Sequence, residues 1–160
     1  MLEFMKVSEF IARWAMSPTG VHLDRSFVRA TGHSFVSWIF ARHEGVLYNP
    51  PLLLTTLGAV TGRKRTVVLP YFSVEDRLCV VGSRGGLPND PYWARNLRSN
   101  PRSWIRLDGK LQRVCAEFAQ DEEWKDLWGK IAERSPIYLE YQRRAEPYRQ
   151  IPVIILRPTQ

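Results

Sequence analysis

The run Leu52-Leu53-Leu54-Thr55-Thr56-Leu57-Gly58, continuing through Thr61-Gly62-Arg63-Lys64-Arg65 into Thr66-Val67-Val68-Leu69, decides the fold class. Apolar and β-branched residues crowd a short stretch, a turn with two glycines interrupts it, and a second β-like stretch follows at once. Strands are predicted over 52–57, 65–73 and 77–82, with Glu75-Asp76 as a tight turn between the last two. Asp108-Gly109 is a hairpin signal between strands at about 102–107 and 110–119. A last apolar strand runs from Ile151 to Leu156.

Helices are inserted between these strands. Asp90 suits an N-cap and Pro91 the first helical position, so a helix is expected from there to about Ser99-Asn100-Pro101. Over 121–134, Asp121-Glu122-Glu123 load the first turn with negative charge, and Trp124, Leu127, Trp128 and Ile131 form one apolar stripe. Ser135-Pro136 interrupts, and a shorter helix is expected over about 136–145. Short strands in meander order, inserted helices and a closing strand predict an α+β domain around a small antiparallel barrel. The 160 residues carry no linker or repeat, so 1–160 reads as a single domain.

The N-terminal third is less regular. Phe4, Val7, Phe10, Ile11 and Trp14 recur at helical spacing, so residues 1–16 read as an amphipathic helix. Ser17-Pro18-Thr19-Gly20 reads as its stop, making 1–20 an N-terminal helical unit. Its apolar stripe suits packing on the domain, a lid over a pocket, or contact with a membrane surface. Phe35-Val36-Ser37-Trp38-Ile39-Phe40 is compatible with helix or strand, and Asn49-Pro50-Pro51 breaks whatever precedes it.

The formal net charge is +7. Lys and Arg are scattered, the longest basic run is Arg63-Lys64-Arg65, and no nucleic-acid-binding motif accompanies them. Nucleic acid is therefore not expected as a partner; an anionic small ligand or membrane surface explains the charge. No window approaches the roughly 18 apolar residues of a membrane span. The N-terminus lacks a secretory pattern, so a cytoplasmic location is expected, with membrane association as the alternative. Cys79 and Cys115 read as buried thiols, and His22, His33 and His43 lack ligand spacing, so no metal site is expected.

Two segments offer chemistry. Arg63, Lys64 and Arg65 put three cations at a strand-to-strand turn, and Ser83-Arg84-Gly85-Gly86 follows another strand with two bare-backbone residues. Backbone N–H groups beside fixed cations suit an anion. The helix after Pro91 then carries Tyr92 and Trp93, which suit a flat ring, although core packing is the commoner use of such residues.

The stretch from about Leu52 to Pro158 resembles the deazaflavin-dependent nitroreductase family. The resemblance is carried by Leu53-Leu54-Thr55-Thr56, Gly62, Arg65, Leu69 and Tyr71. It continues through Ser83-Arg84-Gly85-Gly86, Asn89, Pro91, Trp93, Asn96-Leu97 and Asn100-Pro101, then Pro136, Tyr138, Tyr141 and Ile151-Pro152-Val153. It implies a split β-barrel, of the kind that binds flavin mononucleotide (FMN), with peripheral helices. It also implies coenzyme F-420, a hydride donor with a phosphate and an oligoglutamate tail; FMN is the alternative cofactor. The implied activity is an F-420-dependent oxidoreductase that reduces an apolar acceptor such as a quinone, nitroaromatic or enone. A non-catalytic flavin- or lipid-binding barrel, or an FMN-dependent reductase, is the alternative.

By position in that pattern, Thr56, Arg63, Lys64, Arg65, Arg84, Gly85, Gly86, Pro91, Tyr92, Trp93 and Asn96 are implied to bind the coenzyme. Arg65 falls to the phosphate region. Tyr138, Tyr141 and Ser83 are implied to face the acceptor. The chain departs from the family pattern at Ala59 and Val60, where two basic residues are usual; Arg63 and Lys64 stand just beyond. Arg84 stands where Lys is common, and Ser135 where an aromatic often precedes Pro136. The oligomeric state is left open.

Overall fold

The computed structural model describes residues 17–44 and 49–159. Seven strands form one antiparallel sheet: β1 Leu52–Leu57, β2 Lys64–Leu69, β3 Phe72–Val74, β4 Arg77–Val81, β5 Arg102–Leu107, β6 Lys110–Phe118 and β7 Val153–Pro158. Their order is β2-β1-β5-β6-β7-β4-β3. The helices are α1 Pro18–Thr31, α2 Phe35–Glu44, α3 Tyr92–Ser99, α4 Asp121–Arg134 and α5 Ile137–Ala145.

The strand expected over 65–73 is two strands. Pro70 and Tyr71 separate β2 from β3, and these two lie at opposite edges of the sheet. Three Cα steps from Leu69 to Phe72 span at most about 11 Å. The two edges must therefore come back together there, which curls the sheet into a barrel. Proline fits this crossing because it has no N–H to give to a ladder.

Hairpin turns set the register elsewhere. Glu75 and Asp76 both have positive φ (48° and 62°), as do Asp108 and Gly109 (49° and 74°). Such turns match the right-handed twist of paired strands. Leu107 consequently pairs with Lys110, and Val74 with Arg77.

Period-two alternation divides the core in two. Val80, Ile154 and Leu156 face one cluster with Leu52, Leu54, Ile105, Val114 and the α3 residues Trp93, Ala94 and Leu97. Cys79, Val81, Val153 and Ile155 face the other, with Leu127, Trp128 and Ile131 of α4 and Tyr138 of α5. Strands β4 and β7 are thus buried on both faces, which is why they read as unbroken apolar runs. One helix, α3, fills the side that also holds Leu52 and Leu54; α4 and α5 cover the other.

Two local expectations are corrected. Ser17-Pro18-Thr19-Gly20 opens a helix: Ser17 Oγ accepts from the Gly20 N–H (3.1 Å), and Pro18 is the first residue of α1. The residues that stop one helix are also those that start another. The expected helix over 1–16 lies outside the described residues. Asp90 does not cap α3; Pro91 holds that position, and the Asp90 carboxylate accepts from Arg149 Nη1 (2.8 Å).

The ambiguous segment 35–40 is helical. Ser34 Oγ accepts from the Ser37 N–H (2.9 Å), and buried Asp24 accepts from Ser34 Oγ (2.9 Å) and the Val36 N–H (3.2 Å). Those bonds satisfy orphan donors at the start of α2 and tie it to α1. Among the described residues, no helix is long and apolar enough to cross a membrane.

Candidate functional site

A groove of about 810 Å³ opens between three elements. One wall is a face of α1: His22, Arg25, Ser26 and Arg29. The second is the β1–β2 loop and the start of β2, from Gly58 to Thr61 and Lys64 to Val67. The third is the start of α3, with Tyr92, Trp93, Arg95 and Asn96.

The loop is held by backbone and by α3. The Gly58 N–H donates to Arg63 O (2.9 Å), and the Gly62 N–H to Gly58 O (2.7 Å). Buried Asn96 fastens this loop to α3: its Oδ1 accepts from the Ala59 N–H (3.0 Å), and its Nδ2 donates to Thr56 Oγ1 (3.0 Å). Thr56 is fully buried beneath the groove, so its hydroxyl serves the loop. Thr55 Oγ1 and Thr66 Oγ1 lie 2.8 Å apart and join β1 to β2 across the ladder.

The electrostatics are one-sided. Arg25, Arg29, Lys64, Arg65 and Arg95 line the groove, and among the described residues no Asp or Glu does. None of these five cations is ion-paired among the described residues. Among the described residues, every carboxylate bridge goes to other cations, such as Arg77, Lys130, Arg144 and Arg149. Lys64 Nζ lies 4.6 Å from the Trp104 ring, and Arg95 5.5 Å from that of Tyr92. Such contacts steady a cation without cancelling its field. Uncompensated positive charge in a concave wall is what an anionic ligand requires.

The sequence-predicted residues fall into two groups. Lys64, Arg65, Tyr92, Trp93 and Asn96 line the groove. Tyr92 is exposed, whereas Trp93 is buried in the core beneath. Arg63 is exposed on the loop and does not line the groove, and Pro91 caps α3. The second group gathers at the seam between the Arg84–Gly86 turn and α5. A Cβ on Gly86 would meet Tyr141 O at 2.6 Å, so that glycine is demanded by α5. Gly85, with φ 64°, faces open space.

Tyr138 is buried, with edge-on contacts to Phe72 (5.6 Å), Trp128 (6.4 Å) and Tyr141 (5.8 Å). Burial drives its hydroxyl well above the usual phenol range, so it stays protonated. The two groups meet at Tyr92, whose ring is flanked by Arg95 and, at 6.0 Å, by Arg84.

Two contributions escaped the sequence reading. Positions 22, 25, 26 and 29 follow i, i+3, i+4, i+7 spacing, so one polar helix face was legible there once residues 18–31 were seen as a helix. Arg149 had no local signal. Its Nε donates to Leu87 O (3.0 Å), Nη1 to Gly82 O (3.1 Å) and Asp90 Oδ1 (2.8 Å), and Nη2 to Ser83 O (2.8 Å). One guanidinium thus pins the whole 82–90 segment; its partners lie some 60 residues away in sequence.

Comparison with known proteins places this geometry. The family model described as F420H(2)-dependent quinone reductase matches residues 36–158. A relative of that description from Mycobacterium tuberculosis strain H37Rv is 38% identical over 152 residues, covering 91% of this chain and 97% of the relative. A solved F420-H2 dependent reductase (FDR-A) superposes with a TM-score of 0.60 at 35% identity, covering 69% of this chain and 96% of that one. Another solved structure, described as a domain-swapped dimer, gives a TM-score of 0.59 at 31% identity, covering 77% of this chain and 99% of that one. The barrel is a split β-barrel of the same type as these reductases.

Proposed function

Because the chain belongs to the F420H(2)-dependent quinone reductase family, we propose that its groove holds coenzyme F-420 and that its natural acceptor is a quinone. The protein is an F-420-dependent oxidoreductase. When bound, the reduced deazaflavin supplies a hydride, so no side chain has to carry electrons.

The residues present fit this coenzyme. The groove's volume is that of a ligand site, and its cations match a phosphate and a run of carboxylates. That carboxylate-free set of cations is the observation that carries the reading. Lys64, Arg65 and Arg95 hold the anionic part, each by charge-assisted hydrogen bonds. Asn96 and Thr56 hold the loop against α3 and so keep these cations in place. Tyr92 and Trp93 offer aromatic surface at the α3 wall. Arg84, Gly85 and Gly86 border it on the far side of Tyr92, in a turn kept rigid by Arg149.

We assign the acceptor side to the seam of that turn with α5. Ser83 and the half-buried Tyr141 are the groups there that can orient an apolar acceptor. Tyr138, being buried, acts as a positioning residue through its ring contact with Tyr141.

The test is a fluorescence titration with F-420 and, separately, with FMN, followed by oxidation of reduced F-420 with a soluble quinone such as menadione. Binding of F-420 in preference to FMN, with quinone-dependent oxidation, is expected. Binding of FMN alone would overturn the coenzyme assignment. Binding of F-420 with no turnover by any quinone, nitroaromatic or enone would overturn the acceptor assignment.

A further inference from the structure

We infer that α1 is a working wall of the site, and that Arg25 and Arg29 bind the anionic part of the coenzyme directly. This rests on the F-420 reading above.

Four observations carry it. First, His22, Arg25, Ser26 and Arg29 present one helix face to the groove, while Gly20, Asp24 and Val28 are the buried residues of α1. The helix is thus oriented with its basic stripe toward the ligand space.

Second, the facing loop tip is Ala59, Val60 and Thr61, with Val60 almost wholly exposed. No charge comes from that tip, so α1 supplies the positive charge of its own wall. Third, the nearest acid on α1, Asp24, is engaged with Ser34 and the Val36 N–H and borders a separate apolar pocket. It does not neutralise Arg25 or Arg29. Fourth, Arg25 Nε is shielded from solvent and has no hydrogen-bond partner among the described residues. A buried donor of this kind costs stability unless an acceptor arrives. Nothing among the described residues engages that nitrogen, although Arg25 itself lines the groove.

The chemical class is an oxyanion with more than one negative charge, which both a phosphate and adjacent carboxylates satisfy. The α1 cations therefore discriminate the complete coenzyme from its bare ring. Ring recognition is left to α3 and the turn, which α1 does not need to touch.

Equilibrium binding tests this without turnover. Arg25→Gln, Arg29→Gln and the double variant are titrated with F-420 and with the deazaflavin fragment that lacks phosphate and glutamates, over a salt series. Arg29→Lys keeps the charge, Lys110→Gln removes an exposed cation far from the groove, and thermal melts report folding. The double variant is expected to lose about tenfold to a hundredfold in F-420 affinity. It should also show a shallower dependence on salt and bind the fragment as the parent does. Arg29→Lys should recover most of the affinity, and Lys110→Gln should match the parent.

Parent-like F-420 affinity and salt slope in a folded double variant would overturn the role of α1 and leave the coenzyme reading standing. Equal losses for coenzyme and fragment would also overturn it, since α1 would then be shaping the groove rather than binding charge. A parent protein that binds neither ligand would overturn both.

Discussion

Two charged regions of this protein use the same residue types for opposite ends. In the groove, five cations stand without a carboxylate among the described residues. On the face where the β3–β4 hairpin meets α4, Arg77 and Lys130 are both matched by carboxylates. Arg77 reaches Glu75 (2.5 Å), Glu123 (3.4 Å) and Asp126 (3.5 Å), and Lys130 bridges Glu75 and Asp126. Lys130 holds the Glu75 and Asp126 carboxyls below their usual range, and they raise Lys130 in return. Beneath that network lies the aromatic core of Trp124, Trp128 and Tyr138. Compensated charge over a packed core holds a helix on a sheet. Uncompensated charge in a concave wall is held ready for a ligand, at some cost in self-repulsion.

The sharpest way to break this division is at Tyr138. If it belongs to the packed side, Tyr138→Ala should cost about 3–5 kcal/mol of stability, as other large aromatic deletions from cores do. Tyr138→Phe should leave the melting temperature and coenzyme affinity nearly unchanged. A fall in kcat/KM for the quinone in Tyr138→Phe, with unchanged stability, would show that the acceptor reaches into the packed side and that the division is too simple.

A change on the groove side should have the reverse signature. Arg65→Ala should weaken F-420 binding by about 1.5–3 kcal/mol, since a charge-assisted hydrogen bond is lost. Its melting temperature should hold or rise slightly, because an unpaired positive charge has left a positive neighbourhood. Unchanged affinity in a titration would remove Arg65 from the site.

The smallest effect lies in the network and concerns pH. Glu75 and Asp126 titrate lower when folded, so their contribution is present above their unfolded values and is lost as pH falls through the folded ones. Lys130 titrates higher when folded, so its contribution is present below the ordinary lysine value and fades as pH rises through the folded one. All three are exposed and screened by solvent, so the change is slight. The Glu75→Gln/Asp126→Asn double variant should show a flatter fall of melting temperature below about pH 4 than the parent. An equally steep fall would assign the acid sensitivity to other carboxylates.

The elements legible in the sequence are those whose cause is local. Leu52–Leu57, the Asp108-Gly109 hairpin and the helix Asp121–Arg134 have the expected boundaries, because residue-level propensity, turn conformation and apolar period agree there. The split β-barrel and the coenzyme class were legible through motif order, since both depend on short segments whose spacing along the chain is set. Lys64, Arg65, Tyr92, Trp93 and Asn96 were implied by the same route, and they line one groove.

The rest needed the tertiary structure, mostly because the deciding interaction joins residues from different elements. Phe35 to Phe40 has no amphipathic period, and it is helical because Asp24 and Ser34 satisfy the start of α2. Pro70 and Tyr71 divide one β-like run because the barrel's two edges meet there. Asp90 turns its carboxylate to Arg149 and leaves the cap of α3 to Pro91. The sequence determined that this protein carries cations, aromatics and glycines in the order of a deazaflavin site. Only the folded chain decided which cations stand unpaired among the described residues, and that Arg25 and Arg29, far upstream of every recognised motif, stand among them. Local pairs such as Glu140–Arg144 follow helical spacing, but whether a cation meets a carboxylate from another element is a matter of distance in space.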